Sequence, residues 1–312
     1  MRTNQNPNSV KRRFTLFGFY VLTRMATAVI NKLRSEYSMS VAWAGELELE
    51  FARKNLTTQM SRSYTVAPWK IQRSLYPEGK EICHCILLHT AGGLVGGDRL
   101  SAKIHLQPHT QALLTTATAS KIYRSNGEES QQNIHIRIDE GASLEWFPQE
   151  AIAFAESKYR QTTRIDLGQN ATCTMWEIVR FGRTARGEKF IDGNWRSHTE
   201  VWRDGCPLWI DRQYLTGNIE LLGSPNGLNN YAIAASFIFV GATIDTELIA
   251  NIRSIWEQGN YHGMSGVTRS LAGLVCRYCG DSSSDARKWF QEIWQLLRVF
   301  YKNRPICVPR VW

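Results

Sequence analysis

The chain has 312 residues, of which 43% are hydrophobic, and it carries a formal net charge of +9 at pH 7. A chain of this length and composition can bury a large core, which excludes disorder as its main state. The charge is uneven, because residues 1–38 carry +6 and the remaining chain only +3. A near-balanced body argues against a wide phosphate-binding face, so we expect no nucleic-acid partner.

Residues 1–38 form a segment of their own. Residues 11–13, 14–22 and 26–28 are basic, apolar and small in turn, an order that loosely imitates a signal peptide. Arg24 interrupts this order, and the apolar run is too short to cross a bilayer. We therefore expect an N-terminal extension that is either non-native or disordered, no membrane partner, and one domain over residues 39–312.

A β-rich body is predicted from about residue 41 to about residue 240. The stretch "QNIHIRIDEG" places Ile134, Ile136 and Ile138 on one face and polar residues on the other, which is typical of a half-buried strand. Three stretches, beginning at Lys103, Arg137 and Arg164, each read as strand, polar turn, strand. Their turns begin about 27 to 33 residues apart, which favours stacked two-strand units. The predicted fold class is mainly β: a stacked, solenoid-like β-sheet body with a small helical C-terminal part.

Helices are predicted only within residues 245–302. The stretch "DTELIANIRSIWEQGN" has an apolar stripe that ends at Gly259, and "SSSDARKWFQEIWQLLRVFYKNRP" has start signals in its serines and Asp285. The stripes indicate core packing rather than a cofactor site. Their members are Leu248, Ile249, Ile252 and Ile255 in the first helix, and Trp289, Ile293, Leu296, Leu297 and Phe300 in the second.

The loop "HTAGGLVGGDRL" contains two glycine pairs, Gly92 with Gly93 and Gly96 with Gly97. Its spacing matches neither a P-loop nor a dinucleotide-binding fingerprint, and Asp98 stands where a phosphate-binding Lys would be. We expect the glycines to let strands and a turn pack backbone to backbone. Asp98 would then fix the turn or line a passage.

The cysteines indicate the redox compartment of the protein and form two pairs that are candidates for metal binding. Seven cysteines scattered over a long chain do not indicate a disulfide framework and favour a reducing cytoplasm. Cys83 and Cys85, with His84 between them and His89 nearby, have soft-metal ligand types, but on a strand His84 points away from the two thiols. Helical spacing would put Cys276 and Cys279 on one apolar face. We expect both pairs to be buried as small hydrophobes, with a joint four-thiolate site left open.

Five acidic residues have mainly apolar or glycine neighbours in the sequence. They are Asp98, Glu145, Glu150, Glu177 and Glu188. Such acids are usually solvated or paired with Arg, and inward-facing ones would mark a polar channel or a metal path.

Six stretches, in order, resemble the urease accessory protein UreD family, also called UreH. They are "LLHTAGGLVGGDRL", "LLTTATASKIYRS", "LEWFPQEAIAF", "GRTARGEKF", "DRQYLTGN" and "RPICVPRVW". The resemblance runs from about Trp43 to Trp312. Ala119 and Ala151 depart from the residues more usual in the family. The motif residues that the resemblance singles out are His89, Gly92, Gly93, Gly96, Gly97, Asp98, Thr115, Thr116, Lys121, Tyr123, Arg124, Pro148, Gln149, Gly182, Arg183 and Gly187.

The resemblance implies a maturation scaffold rather than an enzyme. Members of this family join UreF and the GTPase UreG on the urease apoprotein, and the assembly delivers nickel to the urease active site. The nickel is thought to pass through an internal tunnel. No permanently bound cofactor is implied, only transient nickel. Asp98, Glu150 and Glu188 are the candidate nickel path, because each lies in a matching motif beside glycine or proline.

Two other functions remain open at this point. A metal-dependent hydrolase on a β scaffold would use Asp98, Glu150 and His89, and it would act alone on a small substrate. An RNA-binding module would use "SKIYRS" and the basic N-terminus and would show steep salt dependence. Lys121 and Arg124 alone make a poor phosphate-binding track.

Deletion of residues 1–38 should leave folding and urease activation intact, because these residues lie outside both the β pattern and the resemblance. Urease activity in cells that carry the shortened chain in place of the full one measures this. Loss of activation at normal expression would show that the extension takes part in function.

Overall fold

Residues 42–312 are described by the computed structural model, so the expectations for residues 1–38 lie outside the described residues. Within this range the chain forms two sheets and a layer of helices. The strands are β1 (Ala44–Lys54), β2 (Thr57–Thr65), β3 (Trp69–Ile71), β4 (Ile82–His89), β5 (Arg99–Leu106), β6 (Gln111–Thr116), β7 (Ser120–Ile122), β8 (Ser130–Ile138), β9 (Ser143–Phe147), β10 (Ala151–Ala153), β11 (Lys158–Leu167), β12 (Thr172–Phe181), β13 (Asn194–Arg203), β14 (Cys206–Thr216), β15 (Ile233–Val240), β16 (Met264–Ser270) and β17 (Gly273–Gly280). The helices are α1 (Ile219–Gly223), α2 (Thr246–Gln258) and α3 (Ser283–Lys302), with a 3₁₀ turn over Thr184–Arg186.

The two sheets have simple strand orders. Sheet A has seven strands in the order β14-β13-β11-β8-β5-β1-β2. Sheet B has ten, in the order β16-β17-β15-β12-β9-β6-β4-β3, with β10 pairing β12 and β7 beside this path. The central strands of both sheets run parallel, and antiparallel strands close the ends.

The central part is a solenoid in which the chain alternates between the sheets. β5, β8 and β11 stack in sheet A, and the strand that follows each of them, β6, β9 or β12, stacks in sheet B. The registers keep Leu106, Ile138 and Leu167 side by side, so the three turns that follow also stack. The predicted fold class, with its stacked strand–turn–strand units, is confirmed.

Sheet B lies in the middle of three layers. Its inner face packs against sheet A, where Ile136 and Ile165 meet Leu114 and Met175 in one apolar cluster. Its outer face packs against α2 and α3 in a second cluster. Strands β4 and β9 are therefore buried on both faces, and the few polar residues on them, such as His84 and Glu145, are buried as well. In sheet A, β8 alternates buried and exposed residues because its outer face meets solvent.

The two longer helices begin and end where the sequence signals place them. Asp245 caps α2 by accepting a hydrogen bond from the Leu248 amide, and Ser282 caps α3 by accepting one from the Asp285 amide. α3 ends at Asn303, which adopts the left-handed conformation. Both predicted helices are confirmed, but Phe300 is 53% exposed and does not belong to the buried stripe of α3.

The residues between these helices form a hairpin, which the apolar patterning did not reveal. β16 and β17 extend sheet B beyond β15. Cys276 and Cys279 therefore lie on a strand, three positions apart, and face opposite sides. Cys276 belongs to the cluster under the helices, and Cys279 packs against the cluster between the sheets. The expectation of one shared apolar face was wrong, because it assumed a helix.

Replacing Ile136 by Ala should lower the free energy of unfolding by about 2 to 5 kcal/mol, because it leaves a cavity between the sheets. Ile136 is fully buried in the central strand β8. Asn133→Ala on the same strand is the matched control, since Asn133 is exposed, and its effect should stay within about 0.5 kcal/mol. Denaturant unfolding of the three chains measures this, and equal effects would contradict the stacking of β8 between its neighbours.

Candidate functional site

The glycine loop crosses from β4 in sheet B to β5 in sheet A and packs against the backbone around β7. The Leu94 amide donates to Lys121 O at 2.8 Å, and the Tyr123 amide donates to Leu94 O at 2.8 Å. A Cβ on Gly93 would lie 2.5 Å from Lys121 O, and one on Gly96 would lie 2.7 Å from Glu128 O. These glycines are therefore needed for close backbone approach rather than for a phosphate.

Asp98 ties this loop to the start of β1. It is 1% exposed, its Oδ1 accepts from the Trp43 amide at 2.8 Å and its Oδ2 accepts from the Val95 amide at 2.9 Å. Both carboxylate oxygens thus hold backbone. Of the two roles considered for Asp98, this geometry is that of a turn-fixing residue.

The two threonines of "LLTTATASK" and the Pro-Gln pair meet the C-terminal residues. Thr115 Oγ1 donates to Phe147 O at 2.6 Å and accepts from Trp312 Nε1 at 2.9 Å. The Gln149 amide donates to Thr116 Oγ1 at 2.8 Å, and Gln149 Nε2 donates to Val311 O at 3.2 Å. Motif stretches that lie far apart in the chain are thereby held together by side-chain hydrogen bonds.

Glu188 is paired within its own motif. Arg183 Nε donates to Glu188 Oε2 at 2.8 Å, and the Ala155 amide donates to Glu188 Oε1 at 3.1 Å. These hydrogen bonds, that of Arg183 first, lower the pKa of Glu188. Gly182 lies against this turn, because a Cβ there would lie 2.4 Å from Glu188 O, and Gly187 ends the 3₁₀ turn in the left-handed conformation.

The remaining candidate residues lie towards the surface. Glu150 forms an ion pair with Arg287 of α3. Tyr123 donates from its hydroxyl to Gly92 O at 3.3 Å, and the largely exposed Arg124 pairs with Glu156 at 2.6 Å. Lys121 is exposed.

A cavity of about 70 Å³ lies between the two sheets, with walls from both. Leu100, Ile134 and Tyr159 contribute from sheet A, and Trp146 and Met175 from sheet B. This volume can hold several water molecules. The polar side chains at its wall are His89, Thr116, Thr118, Ser120, Gln132, Gln149, Gln161 and Glu177. Asp98, Glu150 and Glu188 do not line this cavity, although Glu188 borders a separate depression of about 150 Å³.

Glu177 is the acid at the cavity wall. Its position on β12 alternates with Met175 and Val179, so its side chain points between the sheets. Ser197 Oγ donates to it at 3.0 Å and Gln161 Nε2 donates at 3.1 Å. Burial outweighs these hydrogen bonds and raises the pKa of Glu177 to about 7. Glu177 can therefore bind or release a proton near neutral pH.

A polar track continues from Glu177 in both directions. On one side Tyr159 donates to Gln161 Oε1 and to Gln132 Oε1, both at 3.1 Å. On the other, Asp211 pairs with Arg277 at 2.8 Å, and the charges of both act on Glu177. We call these residues the inter-sheet polar track. Its seven members are Gln132, Tyr159, Gln161, Glu177, Ser197, Asp211 and Arg277.

His89 lies at the loop end of the cavity with no partner for its ring Nε2. Burial lowers the pKa of His89. The negative charge of Asp98 acts in the other direction, but it does not outweigh burial. His89 is therefore held as a neutral imidazole with a free nitrogen at the cavity wall, which is the form that can bind a metal ion.

Glu145, by contrast, is locked in a buried ion-pair network with α3. Arg298, 2% exposed, donates from Nε and Nη2 to Glu145 at 2.8 and 2.6 Å and from Nη2 to Glu78 at 3.0 Å. His84 pairs with Glu78 at 2.6 Å. Burial alone would raise the pKa of Glu145, but Lys302 and Arg298 outweigh it and lower the pKa to about 2. This acid holds the helix layer on sheet B.

The cysteine pairs lie apart. Cys83 and Cys85 face the inter-sheet core, and His84 faces the other side, as their strand spacing predicts. β4 and β17 are separated by five strand spacings of sheet B, about 24 Å, which rules out the joint four-thiolate site. Within residues 42–312, no three His, Cys, Asp or Glu side chains come together in a way that could hold a metal ion.

Comparison with known proteins decides the family. The family model described as UreD urease accessory protein matches residues 44–312, which begins at the first residue of β1. The chain belongs to the UreD family. Among the described residues, no helix is long and apolar enough to cross a membrane.

Relatives from several bacteria agree with this UreD assignment along nearly their whole length. The chain is 53% identical over 270 residues to the urease accessory protein UreD of Trichormus variabilis, covering 86% of this chain and 96% of that protein. The UreD protein of Nostoc punctiforme is 52% identical with the same coverage. That of Pseudomonas fluorescens is 38% identical over 272 residues, covering 87% of this chain and 95% of that protein.

In this UreD-family chain, the sequence pattern places Glu177 among the acids in apolar surroundings but does not single it out as a site residue. The alternation of Cys173, Met175 and Val179 along "CTMWEIV" would have placed it on the inner face. The signal was obscured because Trp176 and Ile178 are also apolar, which is what a strand buried on both sides requires.

Glu177→Gln should remove a pH-dependent loss of stability. The pKa of Glu177 is raised from 4.5 to about 7, so stability is full below about pH 4.5 and is lost as pH rises towards 7. The variant should match the natural chain near pH 5 and exceed it by on the order of 2 kcal/mol near pH 8, since cavity water screens part of the shift. Thermal unfolding across this pH range tests this, and parallel curves for the two chains would refute the raised pKa.

Proposed function

We propose that this chain is a urease maturation factor that helps deliver nickel to the urease active site. Membership of the UreD family over residues 44–312 supports a role in urease maturation. The observation that carries the finer proposal is the cavity between the sheets, with Glu177 and His89 among the polar side chains at its wall.

Nickel is the cargo in this proposal, and the cavity suits transport better than storage. A transported ion needs oxygen or nitrogen ligands that release it, whereas several converging thiolates would retain it. The inter-sheet polar track offers oxygens one after another rather than a closed cluster. A divalent ion that replaces the proton of Glu177 meets one carboxylate charge, which compensates part of the charge brought between the sheets.

The sequence candidates take different places in this proposal. We leave Asp98 out of the nickel path, because both of its oxygens hold backbone amides. Glu150 and Glu188 remain candidates outside the cavity, where a passing cation would compete with Arg287 or Arg183. Glu177 is the interior donor that we add.

The proposed partners are UreF, UreG and the urease apoprotein, and the proposed place of action is the cytoplasm. All seven cysteines are free thiols in the described residues, which fits a reducing compartment. A scaffold of this kind has no catalytic residues of its own, and its cofactor requirement is limited to the nickel in transit.

The geometry does not favour the two other functions considered. A hydrolase would need Asp98, Glu150 and His89 around one metal, but Asp98 is bound to backbone and Glu150 pairs with α3. An RNA-binding module would need free cations beside Lys121, but Arg124 is neutralised by Glu156.

Glu177→Leu should leave the complex with UreF and urease assembled and lower the nickel content of urease several-fold, because it removes the interior donor. Glu150→Leu and Glu188→Leu should also lower nickel loading, to a smaller extent, since they lie outside the cavity. Complex recovery by co-purification and the nickel content of urease are measured together for each variant.

The matched control is the double variant Cys276→Ala and Cys279→Ala, which removes two thiols that are not members of the polar track and leaves Arg277 between them unchanged. It should affect stability more than nickel delivery. If the acidic variants assemble and load nickel normally while this control assembles and loads none, the carboxylate path is wrong and a thiolate path replaces it.

A further inference from the structure

Cys83 and Cys85 bring two sulfur atoms together inside the molecule. Both residues are 0% exposed, and their Sγ atoms are 3.7 Å apart on the inward face of β4. Alternate residues of a strand share a face, so this pairing is built into the strand and does not depend on a loop. Neither cysteine lines the cavity assigned above to nickel.

A polar and sulfur-bearing shell separates this pair from solvent. Ser74 Oγ lies 3.8 Å from Cys85 Sγ. Ser74 and Tyr76 also border a surface depression of about 350 Å³, together with Met60 and Lys80. Met60 and Tyr76 pack on the core cluster that contains both cysteines. Ser74 and Tyr76 thus border both this depression and the cluster that holds the sulfurs, and Cys85 borders a further depression of about 280 Å³.

The sulfur separation is that of two thiolates on one metal ion. Two sulfurs at about 2.3 Å from a shared ion lie about 4.0 Å apart when the ion has three ligands at about 120°, and further apart when it has two ligands in line. The observed 3.7 Å separation is close to the three-ligand value, so a small rotation of the two side chains, without a backbone shift, would admit the ion. We propose that Cys83 and Cys85 form a binding site for the soft cation Cu(I) beside the edge where β2 packs on β4.

The choice of Cu(I) follows from the number and kind of ligands. Thiolate and thioether sulfur select soft ions, and Cu(I) is satisfied by two or three of them. Structural zinc sites use four ligands, whereas the other polar groups at this pair are the Ser74 and Tyr76 hydroxyls, which are weak ligands. Met60, which packs on the same core cluster, carries a thioether sulfur. The site thus has the composition of a copper(I) site rather than a zinc site.

The protonation of the pair agrees with this geometry. A hydrogen bond with Cys85 lowers the pKa of Cys83 to about 6, while the pKa of Cys85 is raised. Cu(I) would bind the Cys83 thiolate and displace the remaining thiol proton from Cys85 to solvent. No electron is transferred in this step, because the ion enters and stays as Cu(I).

Anaerobic titration of the reduced full chain with Cu(I), against a chromophoric Cu(I) chelator, tests this site. The chain should withdraw one equivalent from the chelator. Cys83→Ser and Cys85→Ser should each weaken binding by at least about 100-fold, since even outer partners of metal ligands contribute 10- to 100-fold. The double variant Cys276→Ser and Cys279→Ser is the matched control and should bind as the natural chain does, because its two thiols face opposite sides of β17.

X-ray absorption of the copper-loaded natural chain keeps the proposal testable if a cysteine variant fails to fold. Two or three sulfur ligands would support the site, and a shell of nitrogen and oxygen alone would overturn it. Copper binding that survives both cysteine substitutions would overturn it as well, and so would cysteine-dependent binding of Zn²⁺ or Ni²⁺ without Cu(I). Formation of a Cys83–Cys85 disulfide with no copper equivalent would replace it by a redox pair.

Discussion

Sheet B is covered on both faces, by sheet A on one side and by α2 and α3 on the other, and this constraint governs the rest of the molecule. A polar side chain on a central strand of sheet B cannot reach solvent by turning over, because the opposite face is also buried. Each such group needs a partner within the protein or in trapped water. The chemistry of the chain is concentrated at the few positions where this need arises.

Two acids on sheet B, Glu145 and Glu177, find their partners within the protein in opposite ways. Glu145 faces the helices and receives Arg298 and Trp294, so it stays ionised and serves as a structural anchor. Glu177 faces sheet A and accepts hydrogen bonds from the neutral Gln161 and Ser197 side chains, while Arg277 acts on it through its charge, so burial prevails and its pKa is raised to about 7. An acid that is already neutralised by Arg has little affinity left for a cation, whereas one that holds a proton can exchange it. The same sheet therefore carries one acid that stays ionised in an ion-pair network and one that can exchange its proton near neutral pH.

Local periodicity was sufficient for the solenoid but not for the site. The strand–turn–strand units could be predicted, because stacked rungs repeat the same alternation, and the caps of α2 and α3 are short-range signals. The hairpin of β16 and β17 could not be predicted from local periodicity, because its strands add to the edge of sheet B, whose other strands lie earlier in the chain. The partner of Glu145 was also beyond prediction, since Arg298 lies 153 residues away. Pairings of that length are set by the three-layer packing and leave no local pattern.

The stretches that resemble the UreD family take on a physical meaning in this packing. His89, Gly92, Gly93, Thr116, Pro148 and Gln149 all line the cavity, although they come from three separate stretches. Thr116 and Gln149 are bonded to each other, and Gln149 and Thr115 hold the C-terminal residues Val311 and Trp312. These side chains use their polar atoms to fix the cavity wall, which leaves His89 and Glu177 as the groups with free or exchangeable capacity. A cavity wall built from long-range hydrogen bonds joins stretches that are distant in the chain, and this holds the shape of the cavity between the two sheets.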